Sequence, residues 1–437
     1  IQHMEIPNHE IETEKTLSSL PAFHVASRSQ ERPAISDISS KITNAVDRLP
    51  LTRLDSGASI AIGVGSRGIQ SLKTIVRTVS TTLSERGFDP VIIPAMGSHG
   101  GATVDGQRKK LADLGVTQES VGCAIDARIE TRCIGETSSG HSVHIATAAV
   151  DADGIVVINR IKPHTNFTGT VESGLSKMVA VGLGKKHGAE AFHTAALQQG
   201  YVTTIEQFVG VIQAKSKADL LGGVGVVENR QHKPAVIEAI PGKALPEAEN
   251  SLLETAYDEL PTLPTSDLDL LVITEIGKDI SGTGMDTNVV GRYGVLNADD
   301  PPEPNVDRIV VLGLSEETKG NAHGIGLADL TTRDVLQSAD LQKMYTNALA
   351  SSSLTRSKLP IGLPSREGAL VAGIRSTGIS DIKNSDIAIV RDTNKTSPCL
   401  VSANLKSKID NNQNWTLSQR VDVHDGAKLT DIGKYLP

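Results

Sequence analysis

Three histidines stand in loops that follow apolar, strand-like runs. They are His99 in Met96-Gly97-Ser98-His99-Gly100-Gly101, His164 in Lys162-Pro163-His164-Thr165-Asn166, and His193 in Glu190-Ala191-Phe192-His193. An imidazole titrates near neutral pH and so serves as acid or base there. The glycines around His99 permit close backbone approach to a ligand. Pro163 stiffens the chain just before His164. Each histidine alone reads as a structural one; together with Lys177 and Arg67 they read as a site. The planar fork of Arg67 suits a substrate carboxylate. The remaining histidines carry less. His3, His9 and His24 lie in the N-terminal segment, His232 and His424 sit in polar surroundings, and His141 and His144, three apart at a strand, face opposite sides.

Arg67 lies within Gly63-Val64-Gly65-Ser66-Arg67-Gly68, a GxGxxG run between a strand pattern and a helix pattern. Dinucleotide binding would require a carboxylate near the end of the next strand. That strand runs instead through Val91-Ile92-Ile93 into Pro94-Ala95-Met96-Gly97, and Asp89 falls before it. Two readings remain: a glycine turn that lets strand and helix pack closely, or a turn that presents Arg67 at the carboxyl end of a strand.

Over residues 58 to 200 this constellation resembles the nickel-pincer lactate racemases and their 2-hydroxy acid racemase and epimerase relatives. In that family an arginine after an early strand grips the substrate carboxylate, and Arg67 matches it. A first acid/base histidine sits in a small-residue loop, matched by His99. The second follows a proline, matched by His164. A lysine that tethers the cofactor corresponds to Lys177, and a nickel-binding histidine 16 residues later corresponds to His193. The chain departs from the family at Val64, where an aspartate is usual, and at Gly100, where an arginine is common. The interval from His164 to Lys177 is about three residues longer than the family pattern, with Thr170-Val171-Glu172 as the insertion.

The resemblance implies a racemase or epimerase that moves a hydride reversibly from a 2-hydroxy acid to a nickel-pincer nucleotide, with His99 and His164 serving opposite faces of the substrate. Lys185 and Lys186 are candidates for the cofactor phosphate, and Lys278, in Glu275-Ile276-Gly277-Lys278, for the substrate. His323 is a weaker candidate. One straight helix from 177 to 193 would separate Lys177 from His193 by about 24 Å. Gly182, Gly184 and Gly188 must therefore break that segment.

The elements that position these residues alternate strand and helix patterns, which predicts an α/β fold. Strands are expected at Ala58–Val64, Pro90–Ala95, Val143–Val150, Gly154–Ile161, Leu270–Ile276, Arg308–Leu314 and Asp386–Val390. Helices are expected at Ile69–Arg86, Val104–Leu114, Leu327–Ala339 and Leu341–Ala350. The chain of 437 residues suggests two to three domains at roughly 150 residues each. The two prolines in Glu259–Asp269 mark a boundary. The expectation is two α/β domains with a cleft between them: 1–262, carrying the cofactor and catalytic residues, and 263–437, closing the site.

A net charge of −8 and an aromatic content of 3% oppose nucleic-acid binding. Cys123, Cys133 and Cys399 form no CxxC pair, which argues against a disulfide framework and a zinc ribbon. No apolar run approaches the roughly 20 residues of a membrane span. Ile1–Met4 reads as an expression-vector remnant with no signal peptide after it, so a cytoplasmic location is expected. Oligomeric state is not readable. Two other function classes stay open: a mononuclear zinc hydrolase with His99, His164 and His193 as ligands, and a non-enzymatic carboxylate-binding protein using Arg67 and Lys278.

Overall fold

The structure, a computed structural model, describes residues 7–28, 32–296, 298–412 and 414–421. Ile1–Met4, His3 and His424 lie outside the described residues. Two compact units are present. One comprises residues 32–164 and Thr168–Leu260; the other comprises residues 7–28, Thr165–Phe167 and 261–421.

The first unit is built on a six-stranded sheet in the order Ala124–Ile125, Asp89–Pro94, Ser59–Val64, Gly154–Arg160, Asp219–Glu228, Pro234–Pro241. The first five strands are parallel and Pro234–Pro241 is antiparallel. Strands buried on both faces need continuous apolar runs, and Ile60, Ile62, Val64, Ile92, Val156 and Ile158 are all buried. From Ser59–Val64 the chain builds outward through Asp89–Pro94, then crosses to Gly154–Arg160 on the other side. That reversal is a topological switch point, where the carboxyl ends of two neighbouring strands leave a crevice for ligands. Helix Leu72–Glu85 covers the sheet with Leu72, Ile75, Val76, Val79 and Leu83.

The second unit holds an eight-stranded sheet in the order Ile361–Leu363, Leu330–Thr332, Asn305–Val311, Asp267–Ile273, Ile387–Val390, Cys399–Ser402, Phe23–Arg28, Trp415–Val421. Its first five strands are parallel and the rest antiparallel.

Several elements differ from the sequence expectation. The strand expected over Val143–Val150 ends at Ala146, and Thr147–Val150 is a helical turn. The helix expected over Leu327–Ala339 is divided. Leu330–Thr332 is a strand between Val310–Val311 and Ile361–Leu363, and only Arg333–Ser338 is helical. Buried pairing of β-branched Thr331 and Thr332 overrides the helical pattern, and the Thr332 hydroxyl then caps the short helix through Val335 N–H. The N-terminal strand Phe23–Arg28 joins the second unit because its partners, Cys399–Ser402 and Trp415–Val421, are supplied from the far end of the chain.

Candidate active site

Arg67, His99 and His164 each follow the carboxyl end of a strand in the six-stranded sheet: Ser59–Val64, Asp89–Pro94 and Gly154–Arg160, three consecutive neighbours flanking the switch point. The glycine run before Arg67 serves packing. A Cβ on Gly63 would lie 3.0 Å from Val157 Cγ1, and one on Gly65 would lie 2.8 Å from Met178 Cε. Arg67 reaches solvent. Its pKa is lowered by desolvation and then by the like charge of Arg160. Arg160 itself is ion-paired with Glu228. No hydrogen bond or ion pair engages Arg67 among the described residues.

His99 is held by its neighbour in the arginine turn: Ser66 Oγ lies 2.5 Å from His99 Nδ1. Desolvation, then the charges of Arg67 and Lys110, lower the His99 pKa. The ring is therefore neutral at pH 7, the state in which it can accept a proton. Val64 is fully buried in the core, and the polar contact to His99 comes from the Ser66 hydroxyl. Gly100 has a physical reason as well. Its φ is +68, and a Cβ there would come within 2.6 Å of Gly106 carbonyl carbon.

The His164 loop is closed at its base by backbone hydrogen bonds between Lys162 and Ser173. The segment read as an insertion organises it from within. The carboxylate of Glu172, 1% exposed, accepts from His164 N–H at 2.5 Å, Gly169 N–H at 3.0 Å and Tyr257 OH at 2.7 Å. Burial raises the Glu172 pKa against the pull of those donors and of Lys177. The His164 ring stacks on Tyr201 at 6.0 Å between centroids, and its Nε2 is hydrogen-bonded to Lys177 Nζ.

Lys177 ends a helical turn, Leu175–Lys177, whose free N–H groups are capped from a distant part of the chain. Glu249 accepts from Leu175 N–H at 2.6 Å, Ser176 N–H at 2.9 Å and Ser176 Oγ at 2.5 Å. Burial, then Arg67 and Lys162, depress the Lys177 ammonium to about 7, with Glu172 opposing. About half of the amine is thus free base at neutral pH.

Between Lys177 and His193 the chain is not one straight helix. A wide π-helical turn spans Met178–Gly182, and the helix Lys185–Gln199 begins with Lys185 at φ +53. A Cβ on Gly182 would lie 2.5 Å from Ala95 O, and one on Gly184 would lie 2.8 Å from Gly188 Cα. Glycine is what allows this bend to pack. His193 lies within the helix Lys185–Gln199 rather than in the loop expected for it, and is exposed; desolvation by the surrounding protein, then the Lys177 charge, push it down to about 4. A ring chain runs from His164 to Tyr201, Phe192 and His193, the last two steps spanning 6.3 and 5.6 Å.

In the first unit Ser66 joins the Arg67 turn to His99, the Lys177 hydrogen bond and the ring contacts join Lys177, His164 and His193, and the two sets are related by the charge of Arg67 acting on Lys177. Lys185 and Lys186 diverge from both. Lys185 is 1% exposed and directs its ammonium inward, to Pro94 C=O at 2.7 Å and Gln107 Oε1 at 2.9 Å. Lys186 is exposed, with Nζ 3.9 Å from Glu190. In the second unit Lys278 Nζ donates to Gly282 C=O. The buried His323 pairs Nδ1 with Ser357 Oγ at 2.9 Å. Desolvation, then Lys278 and Arg356, push His323 down to about 4.

The zinc-hydrolase reading is corrected by this geometry. Among the described residues no group of three or more His, Cys, Asp or Glu is placed to hold a metal ion, so His99, His164 and His193 do not form a three-ligand set. All three cysteines are free. No helix among the described residues is long and apolar enough to cross a membrane.

The sequence did not point to Ser66, Gln107, Glu172 or Glu249. Ser66 adjoins Arg67 and was in principle visible there. Glu249 acts on a turn more than seventy residues away, and no local signal marks it.

Fold and site define an α/β protein with a guanidinium and two imidazoles in the loops at the carboxyl edge of a parallel sheet, and an amine bonded to one of those imidazoles. Residues 7–204 match the model of the lactate racemase N-terminal domain, so this part of the chain is similar to that domain. The chain is also similar to the lactate racemase apoprotein from Thermoanaerobacterium thermosaccharolyticum, with a TM-score of 0.47 and 16% identity, covering 89% of this chain and 88% of that one. No curated protein is significantly similar.

Proposed function

We propose that this protein racemises or epimerises 2-hydroxy carboxylic acids by hydride transfer, with a nickel-pincer nucleotide as cofactor. The observation that carries the reading is Arg67. Its fork stands at the switch point with no hydrogen-bond or ion-pair partner among the described residues, one residue from the Ser66 that holds His99. A carboxylate seated on that fork would have its hydroxyl-bearing carbon near the two imidazoles.

The residues fit the cofactor. Lys177, depressed to about 7, offers a partly deprotonated amine for a covalent tether. His193, pushed down to about 4, is a neutral imidazole with a lone pair for nickel. When bound, the group supplies a reversible acceptor for the hydride, leaving a planar 2-keto acid open on both faces. This avoids a carbanion beside a carboxylate.

The chain's own residues do the rest. Arg67 orients the carboxylate by paired, charge-assisted hydrogen bonds. One of His99 and His164 removes the hydroxyl proton as hydride departs, and the other serves the opposite hand. Ser66 and Glu172 hold those two histidines, the first through the ring and the second through the backbone N–H.

The test is turnover in D2O. Protein matured in cells that make the cofactor is incubated with single enantiomers of lactate, longer aliphatic, dicarboxylic and sugar hydroxy acids. Interconversion without deuterium at the stereocentre is expected. Deuterium at that carbon would overturn the hydride route, and binding without interconversion by the nickel-loaded protein would favour a carboxylate-binding protein.

A further inference from the structure

Lys185 combines two features that a folded chain normally avoids. It is a lysine 1% exposed to solvent, and it is a non-glycine residue at φ +53. Burying an ammonium loses its hydration, and left-handed backbone disfavours a side chain. Such outliers persist where the surrounding structure needs them.

The surroundings show what it does. Lys185 Nζ donates to Gln107 Oε1 at 2.9 Å and to Pro94 C=O at 2.7 Å. Gln107 is fully buried. With its oxygen turned to the ammonium, its amide nitrogen must face the opposite way, since a flipped amide would set two donors against each other. That nitrogen donates to Gly97 C=O at 3.0 Å and His99 C=O at 3.3 Å. The loop it grips has little regular structure of its own, with Gly97 at φ +57, Gly100 at φ +68 and Gly101 at φ +66. Gly97 N–H also donates to Gly182 C=O at 3.0 Å, within the turn that follows Lys177.

We propose that Lys185, acting through Gln107, is a positioning residue that fixes the His99 loop and so holds the His99 ring on Ser66. The charge on Lys185 orients the Gln107 amide, the amide clamps two carbonyls of a glycine-rich loop, and the clamped backbone aims the imidazole. The ammonium has no direct contact with His99. This inference rests on the reading of His99 as an acid/base group only where turnover is concerned; the geometry of the ring is independent of it.

Three variants test it. Lys185→Met removes the ammonium. Lys185→Gly removes it and also relieves the left-handed backbone, which protects folding. Gln107→Glu retains a partner for Lys185 but takes away both donors to the loop, so it separates the clamp from the buried pair. The first measurement is the ring nitrogen NMR signal of His99 in 15N-histidine-labelled protein, assigned with His99→Gln. Wild type is expected to show one fixed tautomer and all three variants an averaged one.

The second measurement is turnover of the cofactor-loaded enzyme. A displaced acid/base group is expected to lower kcat about 10- to 100-fold with little change in KM. Folded Gln107→Glu and Lys185→Gly proteins with the wild-type His99 signal would overturn the inference, as would unchanged kcat in both. An inactive wild type would instead refute the racemase reading, and the NMR arm would still decide the role of Lys185.

Discussion

The Lys177 amine offers the sharpest test of the electrostatics, because its depression to about 7 predicts chemistry visible without cofactor. At pH 7.5 an amine with a pKa of about 7 is roughly three-quarters free base, against about 0.1% for an unperturbed lysine, an excess of roughly 750-fold. Nucleophilicity falls with basicity. A Brønsted slope of about 0.4–0.5, as for thiols, leaves a net advantage of roughly 15- to 30-fold. The assay is brief acetylation across pH 5.5 to 10 followed by peptide mapping, with exposed Lys186 as internal reference. Lys177 should label with a midpoint near pH 7. Burial is the leading cause of the shift and Arg67 the second, so Arg67→Met should move the midpoint upward by roughly 0.4–1.5 units, the range Coulomb's law gives for like charges several ångströms apart. Arg67 is exposed, so this change should not unfold the protein. A Lys177 midpoint above about 9 would refute burial as the controlling influence. An unmoved midpoint in Arg67→Met would refute the proximity of the two cations.

Other outcomes follow from the same contacts. Arg67→Lys replaces a bidentate fork by a point charge and should raise KM roughly 10- to 100-fold with unfolding unchanged; steady-state kinetics and a urea melt check it together. Glu249→Ala strips three hydrogen bonds from the turn carrying Lys177 and should cost about 3–5 kcal/mol, lowering Tm by roughly 6–20 °C in calorimetry. Gly174→Ala should do similar damage, since its Cβ would sit 1.7 Å from Glu249 Oε1; an unchanged Tm in both would show that the cap contributes nothing. Lys185 carries a pH signature. Its folded pKa of about 8 lies below the ordinary 10.5, so the burial penalty is fully present below pH 8. Between about pH 8 and 10.5 the unfolded chain binds more protons, and stability relative to Lys185→Met should rise by up to about 3 kcal/mol. Urea unfolding of both proteins at pH 7.5 and 10 measures it, and a flat or falling difference would contradict the burial.

Much of the site was legible because its chemistry is local. Arg67, His99 and His164 each sit just past a run of apolar residues, and parallel strands buried on both faces announce themselves by such runs. The bend between Lys177 and His193 was readable in part, since the reach of a helix is fixed by its rise: Gly182 and Gly184 lie at the bend, whereas Gly188, also expected to break the segment, lies inside the helix Lys185–Gln199. The two lysines after Gly184 show where local reading stops. Lys185 and Lys186 are adjacent and chemically alike, yet one is buried and the other exposed. A single left-handed residue turned the first inward toward Pro94 and Gln107.

Residue types, their order and the strand-to-loop rhythm were therefore properties of the linear chain: they placed an α/β fold and named the members of a candidate cationic, imidazole-bearing site. Tertiary structure alone decided who holds whom. Glu249 reaches the Lys177 turn, Glu172 gathers the His164 loop, and strand Phe23–Arg28 pairs with strands from the opposite end of the sequence. Spacing encodes what a short segment can do by itself, whereas a buried carboxylate or strand finds its partner only when the packed fold brings distant donors within hydrogen-bond reach.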